Sequence, residues 1–444
     1  MPPEREAVPD RSEGWSPRLM KPISGNQDKN MLRPLSSLEQ YAWISDQVSP
    51  KHFSVSAQIR GYATIDSWRA AINAVQLRHP LLRAGVKKTP DGTLHFYEDN
   101  RISIPFRVVR SESGRTWEQE LEREYSIPFG IGDVPLVRVV LLYGQDVSNV
   151  IVTLNHSIAD GRSAAHLIRD ILEALSGKEL PILPMRPPHE EICDSLGVLP
   201  ADIPSTGSID REVAYVDRSP KHFRIRSLRL PGELSRKLRT RARDEETTVH
   251  GAITAAFSLA TYRLAAWGTR PARVLSAIDT RQALNMDYEL GFCVLFPAFS
   301  YDLSSGPHFW DLARKITQDI APYKSAPVIA GVFRAFKSIV ADATVQSIAA
   351  FESQECSSDV VVSNLGVLPF RTDYGTLTLE ELWGPSILFG TEGEHTIGVT
   401  TLHDSIHLLY TSFASCPSLL QTGEQILLSS FEGEAKRNRS SAFQ

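Results

Sequence analysis

Residues 155–161 have the sequence Asn-His-Ser-Ile-Ala-Asp-Gly and follow an apolar run, 149–154, that is typical of a buried β-strand. An amphipathic helix is predicted directly after them, over residues 163–175, with Gly177 where a C-terminal cap belongs. A histidine that leaves a strand onto a short turn is held rigidly, with one edge of its ring open. Because a neutral imidazole can act as a general base near neutral pH, His156 is a candidate catalytic residue.

Asp160 and Gly161 complete this turn, and the residues alone leave their roles open. The carboxylate of Asp160 can accept a hydrogen bond from the His156 ring, pair with a distant cation or cap the following helix, since Asp favours N-cap positions. Gly161 leaves room for a substrate or for a neighbouring backbone. The alternative without a function is a core histidine with satisfied hydrogen bonds beside a helix-capping aspartate.

The composition is that of a globular protein without a nucleic-acid or membrane signature. Of the 444 residues, 42% are hydrophobic and 22% are charged, which is enough apolar surface for a core. The net charge of −5 gives no electrostatic footprint for nucleic acid or for an anionic membrane. No run approaches the ~18 apolar residues of a membrane span, and the first residues lack the apolar segment of a secretory signal. We therefore expect a cytoplasmic protein, and we expect it to be a monomer.

Metal-ligand spacing is missing from the sequence. The four cysteines are far apart, at Cys193, Cys293, Cys356 and Cys416. Without a Cys-x-x-Cys pair, reduced thiols are expected rather than a disulfide framework or a zinc site. The segment 189–191 begins like a zinc-protease motif but lacks its second histidine, and no carboxylate or cysteine pattern completes a site with His403 and His407. We expect no metal and no bound cofactor.

The distribution of proline divides the chain into segments. Residues 1–30 are polar and without periodicity, which predicts a mobile arm. Residues 31–177 alternate predicted strands and helices and form an N-terminal lobe that carries the His156 turn. Residues 178–221 are crowded with prolines and predict a linker, which leaves 222–444 as a C-terminal lobe. Later strands are predicted at 358–363, 385–389, 395–402 and 405–413.

Five landmarks, in order along the chain, resemble the chloramphenicol-acetyltransferase-like superfamily, which includes condensation domains and several acyltransferases. His156–Gly161 resembles its HxxxDG motif. Arg78–Arg83 resembles the RHPxLR segment of condensation domains, and Pro135–Arg138 resembles the PLxR strand before the motif. Ile278–Arg281 is similar to the DxR segment, and Val362–Gly366 is similar to the SNLG stretch of polyketide-associated and fungal alcohol acyltransferases. The resemblance covers nearly the whole predicted ordered chain.

This resemblance implies an α/β (α+β) fold of two chloramphenicol-acetyltransferase-like lobes, each a mixed sheet with helices, that form a V with a central tunnel. Donor and acceptor would enter from opposite ends of the tunnel. His156 would remove a proton from a hydroxyl or amine of a small-molecule acceptor as that group attacks an acyl thioester. The thioester, on coenzyme A or on the phosphopantetheine of an acyl or peptidyl carrier protein, would be a co-substrate rather than a bound cofactor.

The resemblance also implies roles for the remaining site residues, with Asp160 and Gly161 as catalytic-motif residues beside His156. The aspartate usually pairs with the arginine of the DxR segment, here Arg281, and so fixes the loop of the histidine; otherwise Arg281 is a solvated charge. Ser363 and Asn364 occupy the place of a polar group near the tetrahedral intermediate, as oxyanion or acceptor-side candidates. An ordinary Ser-Asn-x-Gly turn is the alternative for these two residues.

Departures from the family pattern refine the expected function. Condensation domains commonly carry two adjacent histidines, but the first position here is Asn155, which favours ester formation over amide formation. The DFGWG segment of plant BAHD acyltransferases is also missing from the sequence. We therefore expect an O-acyltransferase of secondary metabolism. The alternatives are an amide-forming stand-alone condensation enzyme and a non-acylating tunnel protein that binds or cyclises a polyketide or peptide intermediate.

Overall fold

The computed structural model describes most of the chain. The described residues are 31–110, 114–206, 215, 223–264, 270–414 and 416–441, and only the backbone is described from 432 to 441. The predicted arm over residues 1–30 lies outside the described residues, as do 207–214 and 216–222 of the predicted linker.

Strands and helices alternate through the first half of the chain. The elements are β1 (Met31–Pro34), α1 (Ser37–Val48), β2 (Phe53–Gly61), α2 (Ile65–Arg78), β3 (Ala84–Lys88), β4 (Leu94–Glu98), β5 (Phe106–Arg110), α3 (Trp117–Tyr125), β6 (Val137–Tyr143), β7 (Val147–Leu154), α4 (Gly161–Leu175) and α5 (His189–Ser195). The helix predicted after the His156 turn is α4, and it begins two residues earlier than expected because the Asp160 side chain caps it, accepting from the Ser163 N–H.

The second half repeats this alternation with longer helices. Its elements are β8 (Arg224–Leu230), α6 (Gly232–Asp244), α7 (Val249–Leu264), β9 (Ala272–Ser276), β10 (Ile278–Asp279), β11 (Val294–Leu295), β12 (Ala298–Tyr301), α8 (Phe309–Ile320), α9 (Ala326–Val340), α10 (Val345–Phe351), β13 (Val360–Val367), β14 (Leu377–Ser386), β15 (His395–Leu402), β16 (Ser405–Ser412) and α11 (Leu419–Ser441). A single π-helical turn (Glu352–Cys356) follows α10.

The strand predicted at 385–389 is wrong. β14 ends at Ser386, so the apolar run after it lies outside the ladder. The N–H groups of Phe389 and Gly390 donate to the carboxylate of Glu394, at 2.9 and 3.0 Å, instead of to a neighbouring strand. A side chain thus satisfies the backbone there, and apolar character alone did not distinguish this buried turn from a strand.

Two mixed sheets form the body of the fold. The first has the strand order β14-β2-β7-β6-β5 and the second has the order β12-β9-β13-β15-β16-β8. Each contains both parallel and antiparallel pairs, such as β5 with β6 and β2 with β7 in the first sheet. Two mixed sheets with associated helices confirm the predicted fold class.

Each half of the chain contributes a segment to the other half. β14 pairs antiparallel with β2 at the edge of the first sheet, with Leu382 opposite Ala57. In return, Leu38 and Tyr41 of α1 are buried in the apolar core of the second half. Because both exchanges bury apolar surface, which stabilises a fold by roughly 25 cal/mol per Å², the two halves are held together by their cores.

Gly398 of β15 is needed where the two sheets meet. A Cβ atom at this position would lie 2.1 Å from the carbonyl oxygen of Pro385 in β14, a backbone atom that cannot rotate away. We therefore expect Gly398→Ala to lower the free energy of unfolding by at least ~1–3 kcal/mol, the usual effect of overpacking.

Urea denaturation of the purified variant tests this expectation. Gly132→Ala is the matched control, because a Cβ at Gly132 would meet nothing within 4 Å. Equal midpoints for the two variants would show that β14 does not approach β15 as described.

Candidate active site

A cavity lined by residues of both halves contains the predicted site. It encloses about 850 Å³ of empty space, part of which is open solvent at its mouth. Its walls include His156, Asp160 and Gly161 from the first half and Ser363 and Asn364 from the second. Most of the other lining residues are apolar or aromatic, as is usual for sites that take small molecules.

Asn155 shapes the turn that presents His156. Its backbone N–H donates to the Leu136 carbonyl at 3.0 Å, which continues the β6–β7 pairing one residue past the strand. Its side-chain oxygen then accepts from the N–H and the hydroxyl of Ser157, at 3.0 and 2.7 Å. An Asx turn of this kind bends the chain immediately after β7. The residue that departs from the two-histidine pattern therefore has a structural role here.

Backbone geometry fixes the tautomer of His156. Its Nδ1 lies 2.8 Å from the carbonyl oxygen of Ala159. A carbonyl oxygen only accepts, so Nδ1 carries the proton and donates, and Nε2 keeps its lone pair. The ring packs between Phe53 and Phe292, with both centroid separations at 4.6 Å. Sequence reasoning could not identify the Ala159 carbonyl, because every residue has one.

Burial lowers the pKa of His156 to about 4, although the Ala159 carbonyl and the Asp160 carboxylate act in the opposite direction. The ring is therefore neutral at physiological pH. A neutral imidazole with a protonated Nδ1 and an unprotonated Nε2 is the form that accepts a proton from a substrate.

The predicted contact between Asp160 and Arg281 is present. The Arg281 guanidinium donates to both carboxylate oxygens of Asp160, at 2.8 and 3.0 Å, and both side chains are at most 5% exposed. The solvated alternative for Arg281 is therefore wrong. The same guanidinium donates to the Ser163 hydroxyl at 2.9 Å, and the Cys293 N–H donates to Asp160 at 2.9 Å.

These contacts keep Asp160 ionised. Burial by itself would raise the pKa of Asp160, but the charge of Arg281 and the hydrogen bonds outweigh it and hold the pKa at about 2. The nitrogen of His156 that could bond to a carboxylate is already bound to Ala159. Asp160 therefore fixes the turn, and the Ala159 carbonyl orients the ring.

Gly161 allows the second half to approach the start of α4. A Cβ at Gly161 would lie 2.9 Å from side-chain atoms of Leu365 and Pro385. Its missing side chain leaves space for its neighbours in the protein as well as for the cavity.

Ser363 and Asn364 lie on β13 and face the cavity. The side-chain oxygen of Asn364 accepts from the Gly366 N–H at 2.8 Å, so the turn alternative describes part of its role. Its side-chain NH₂ group is a donor, and a role in oxyanion stabilisation stays a prediction for both residues.

Sequence reasoning missed several polar residues of the cavity. Tyr41, Ser45 and Lys51 also line it. They belong to α1 and to the segment before β2, where no motif marks them. Among the described residues, no group of three or more His, Cys, Asp or Glu side chains is arranged to hold a metal ion. In that same part of the chain, none of the helices has both the length and the apolar character needed to cross a membrane.

Comparisons with known proteins agree with this geometry. Residues 219–384 match the family model for the C-terminus of phthiocerol/phthiodiolone dimycocerosyl transferase. The dimycocerosyl transferase of Mycobacterium ulcerans is 23% identical over 254 residues, which cover 52% of this chain and 58% of that protein. The linear gramicidin synthase of Brevibacillus parabrevis contains a stretch that is 24% identical over 327 residues. That match covers 64% of this chain but 6% of the much longer synthase polypeptide.

Solved structures have the same fold. Polyketide synthase associated protein 5 from Mycobacterium tuberculosis superimposes with a TM-score of 0.63 at 15% identity, covering 90% of this chain and 98% of that chain. The trichothecene 15-O-acetyltransferase TRI3 of Fusarium sporotrichioides gives 0.63 at 11% identity, covering 90% and 94%.

Fold and sequence thus define a two-lobed protein with its cavity between the halves. The chain belongs to the chloramphenicol-acetyltransferase-like superfamily of condensation domains and acyltransferases, as the five landmarks predicted.

The Asp160–Arg281 ion pair should be essential to stability. Asp160→Asn leaves a buried guanidinium without its main partner, and Arg281→Met leaves a buried carboxylate. We expect each variant to lose ~3–5 kcal/mol of unfolding free energy, because an uncompensated buried charge is costly. Denaturant unfolding of both single variants and of the double variant measures the coupling.

Arg101→Met is the control, since Arg101 forms an ion pair with Asp99 at the surface, where its side chain is 72% exposed. We expect no measurable change for the control. Strictly additive losses in the Asp160 and Arg281 variants would contradict a direct interaction between them.

Proposed function

We propose that the protein transfers an acyl group from a thioester to a hydroxyl, with His156 as the general base, in secondary metabolism. The observation that carries this proposal is the tautomer of His156. Its Nδ1 donates to the Ala159 carbonyl, so Nε2 is the nitrogen available to a substrate in the cavity. The superfamily membership supplies the thioester chemistry.

The proposed reaction needs no nucleophilic side chain. Nε2 of His156 takes the proton of the acceptor hydroxyl as its oxygen attacks the thioester carbonyl. The resulting tetrahedral oxyanion would be stabilised by Ser363 or Asn364. Its collapse breaks the carbon–sulfur bond, and the imidazolium returns its proton to the thiolate. The products are an ester and a free thiol, and a positioned base contributes ~10²–10⁴-fold to such a reaction.

Two observations support a hydroxyl acceptor over an amine. Asn155 stands where condensation domains commonly have their first histidine, and its side chain is engaged in the turn. One structural neighbour is named as a 15-O-acetyltransferase. The donor would be an acyl-CoA or an acyl carrier protein, and the matches to modules of peptide synthetases are compatible with a carrier.

A non-acylating tunnel protein is the second candidate, and the missing first histidine is the observation that favours it. In that case the cavity would bind or cyclise a polyketide or peptide intermediate. Release of free thiol separates the two candidates, because only acyl transfer or thioester hydrolysis produces it.

We expect thiol release from octanoyl-CoA or octanoyl carrier protein when 1-octanol is added, and more slowly when octylamine is added. His156→Ala should lower this rate at least ~10²-fold with an unchanged melting temperature, because the base is lost. His308→Ala is the matched control, since His308 caps α8 at the surface. Wild-type turnover in His156→Ala would contradict the assignment, and absence of thiol release from every donor tried would favour the second candidate.

The rate should also show an unusually acidic pH limit. The base is active only when unprotonated, and the pKa of His156 is about 4 because its ring is buried. We expect kcat/KM to stay level from about pH 8 to about pH 5 and to fall about tenfold per pH unit below pH 4. An acid limb centred near ~6.5, the value of an exposed histidine, would show that the ring is solvated in the working enzyme.

A further inference from the structure

The cavity continues from His156 along a row of aromatic rings. The imidazole contacts Phe292 with centroids 4.6 Å apart, Phe292 is 6.4 Å from Phe296, and Phe296 stacks on Tyr41 at 5.5 Å. All four residues line the cavity. The row therefore describes an apolar chamber with the imidazole at one end and the Tyr41 ring at the other.

A buried polar cluster closes the Tyr41 end. The carboxylate of Glu352 accepts hydrogen bonds from the hydroxyls of Tyr41 at 2.9 Å, of Tyr215 at 3.2 Å and of Ser45. The ammonium of Lys51 lies 3.2 Å from the same carboxylate, and the Lys51 and Glu352 side chains are 5% and 2% exposed. We refer to these five residues as the Glu352 cluster.

The position of the cluster suggests more than stabilisation. Three of its members, Tyr41, Ser45 and Lys51, line the cavity itself. Glu352 is the first residue of the π-helical turn, and such turns are frequent at functional sites. Charged groups are rarely placed against an otherwise apolar chamber unless something there is recognised by them.

The hydrogen-bond inventory decides what the cluster can recognise. Lys51 has three N–H donors, and acceptors lie within reach of all three: Glu352, the Ser49 carbonyl at 3.1 Å and the Phe389 carbonyl at 2.9 Å. The hydroxyls of Ser45 and Tyr41 each donate their only proton to Glu352. Burial, with Cys356 and Glu352 nearby, raises the pKa of Tyr41 well above its usual value, so its proton stays in place.

What remains for a ligand is a pair of hydroxyl oxygens with lone pairs. They can accept a hydrogen bond but have no proton left to donate. The charges of Lys51 and Glu352 cancel, so the cluster has no net attraction for an ion. A carboxylate or a phosphate would lose its hydration and gain no donor there. A neutral hydroxyl would gain a hydrogen bond.

We propose that the Glu352 cluster is a recognition subsite for a hydroxyl group at the far end of an apolar substrate moiety, with Ser45 Oγ and Tyr41 Oη as the acceptors. The proposal deepens the proposed function and rests on it for the position of the reacting atom at His156. The aromatic row would hold the apolar body between the two ends.

Binding of small probes to the full chain tests this subsite without turnover. The probes are 2-naphthol, 2-methylnaphthalene, which has the same shape without a donor, and 2-naphthoate, which is an anion. Fluorescence titration should show that 2-naphthol binds about tenfold more tightly than 2-methylnaphthalene, the effect of one net hydrogen bond. The carboxylate 2-naphthoate should bind more weakly than either.

Variants locate the hydroxyl. In Ser45→Ala the preference for 2-naphthol should fall to about twofold or less, while 2-methylnaphthalene binds as in the wild type, which also shows that the chamber is intact. Ser37→Ala is the matched control, because Ser37 lies on the same helix and donates to the Phe333 carbonyl instead. His156→Ala should keep the preference, since the imidazole is at the other end of the chamber.

Several results would overturn the proposal. These are equal affinity of the wild type for 2-naphthol and 2-methylnaphthalene, failure of 2-naphthol to bind, or a preference that survives in Ser45→Ala. A preference that survives in Ser45→Ala and disappears in His156→Ala would place the hydroxyl at the imidazole. The outcome is separate from that of the proposed function: a protein that never releases thiol but shows a Ser45-dependent preference keeps the subsite and loses the acyl transfer.

Discussion

Asp160 and Arg281 form a buried ion pair that joins the first turn of α4 to a segment 121 residues further along the chain. Removing two charges from water costs several kcal/mol per ion, so such a pair persists only where further hydrogen bonds satisfy both groups. Asp160 has these in the N–H groups of Ser163 and Cys293. The turn that carries His156 lies directly before this anchor, and the position of the imidazole depends on it.

The anchor and the orienter of the imidazole are different groups. In a Ser-His-Asp triad the carboxylate bonds to the histidine and stabilises its charged form. Here the Ala159 carbonyl binds Nδ1, and Asp160 is engaged by Arg281. Burial therefore lowers the pKa of His156 to about 4, which makes the ring a weak but permanently available base. A weak base suits an electrophile that is already activated, as a thioester is.

The cavity exists because the two halves exchange segments. β14 joins the first sheet while α1 joins the second core, so the cavity walls come from both halves. Glycine at two positions allows the close approach: a side chain at Gly161 would contact Pro385, and one at Gly398 would meet the carbonyl of Pro385. The chamber that leads to Tyr41 and Glu352 is a product of the same exchange, because these residues come from opposite halves.

The sequence by itself determined the strand, turn and helix around His156, because hydrophobic periodicity and capping are local properties. With the family resemblance, it also determined the two-lobed α/β fold and the partner of Asp160. Only the tertiary structure decided the sheet to which β14 belongs and the end of that strand, where the Glu394 carboxylate satisfies the following backbone. It alone revealed the Ala159 carbonyl as the orienter, since a backbone atom has no sequence signature. Tyr41 and Glu352 meet across 311 residues of chain, and no local pattern records a contact formed only when the cores are packed.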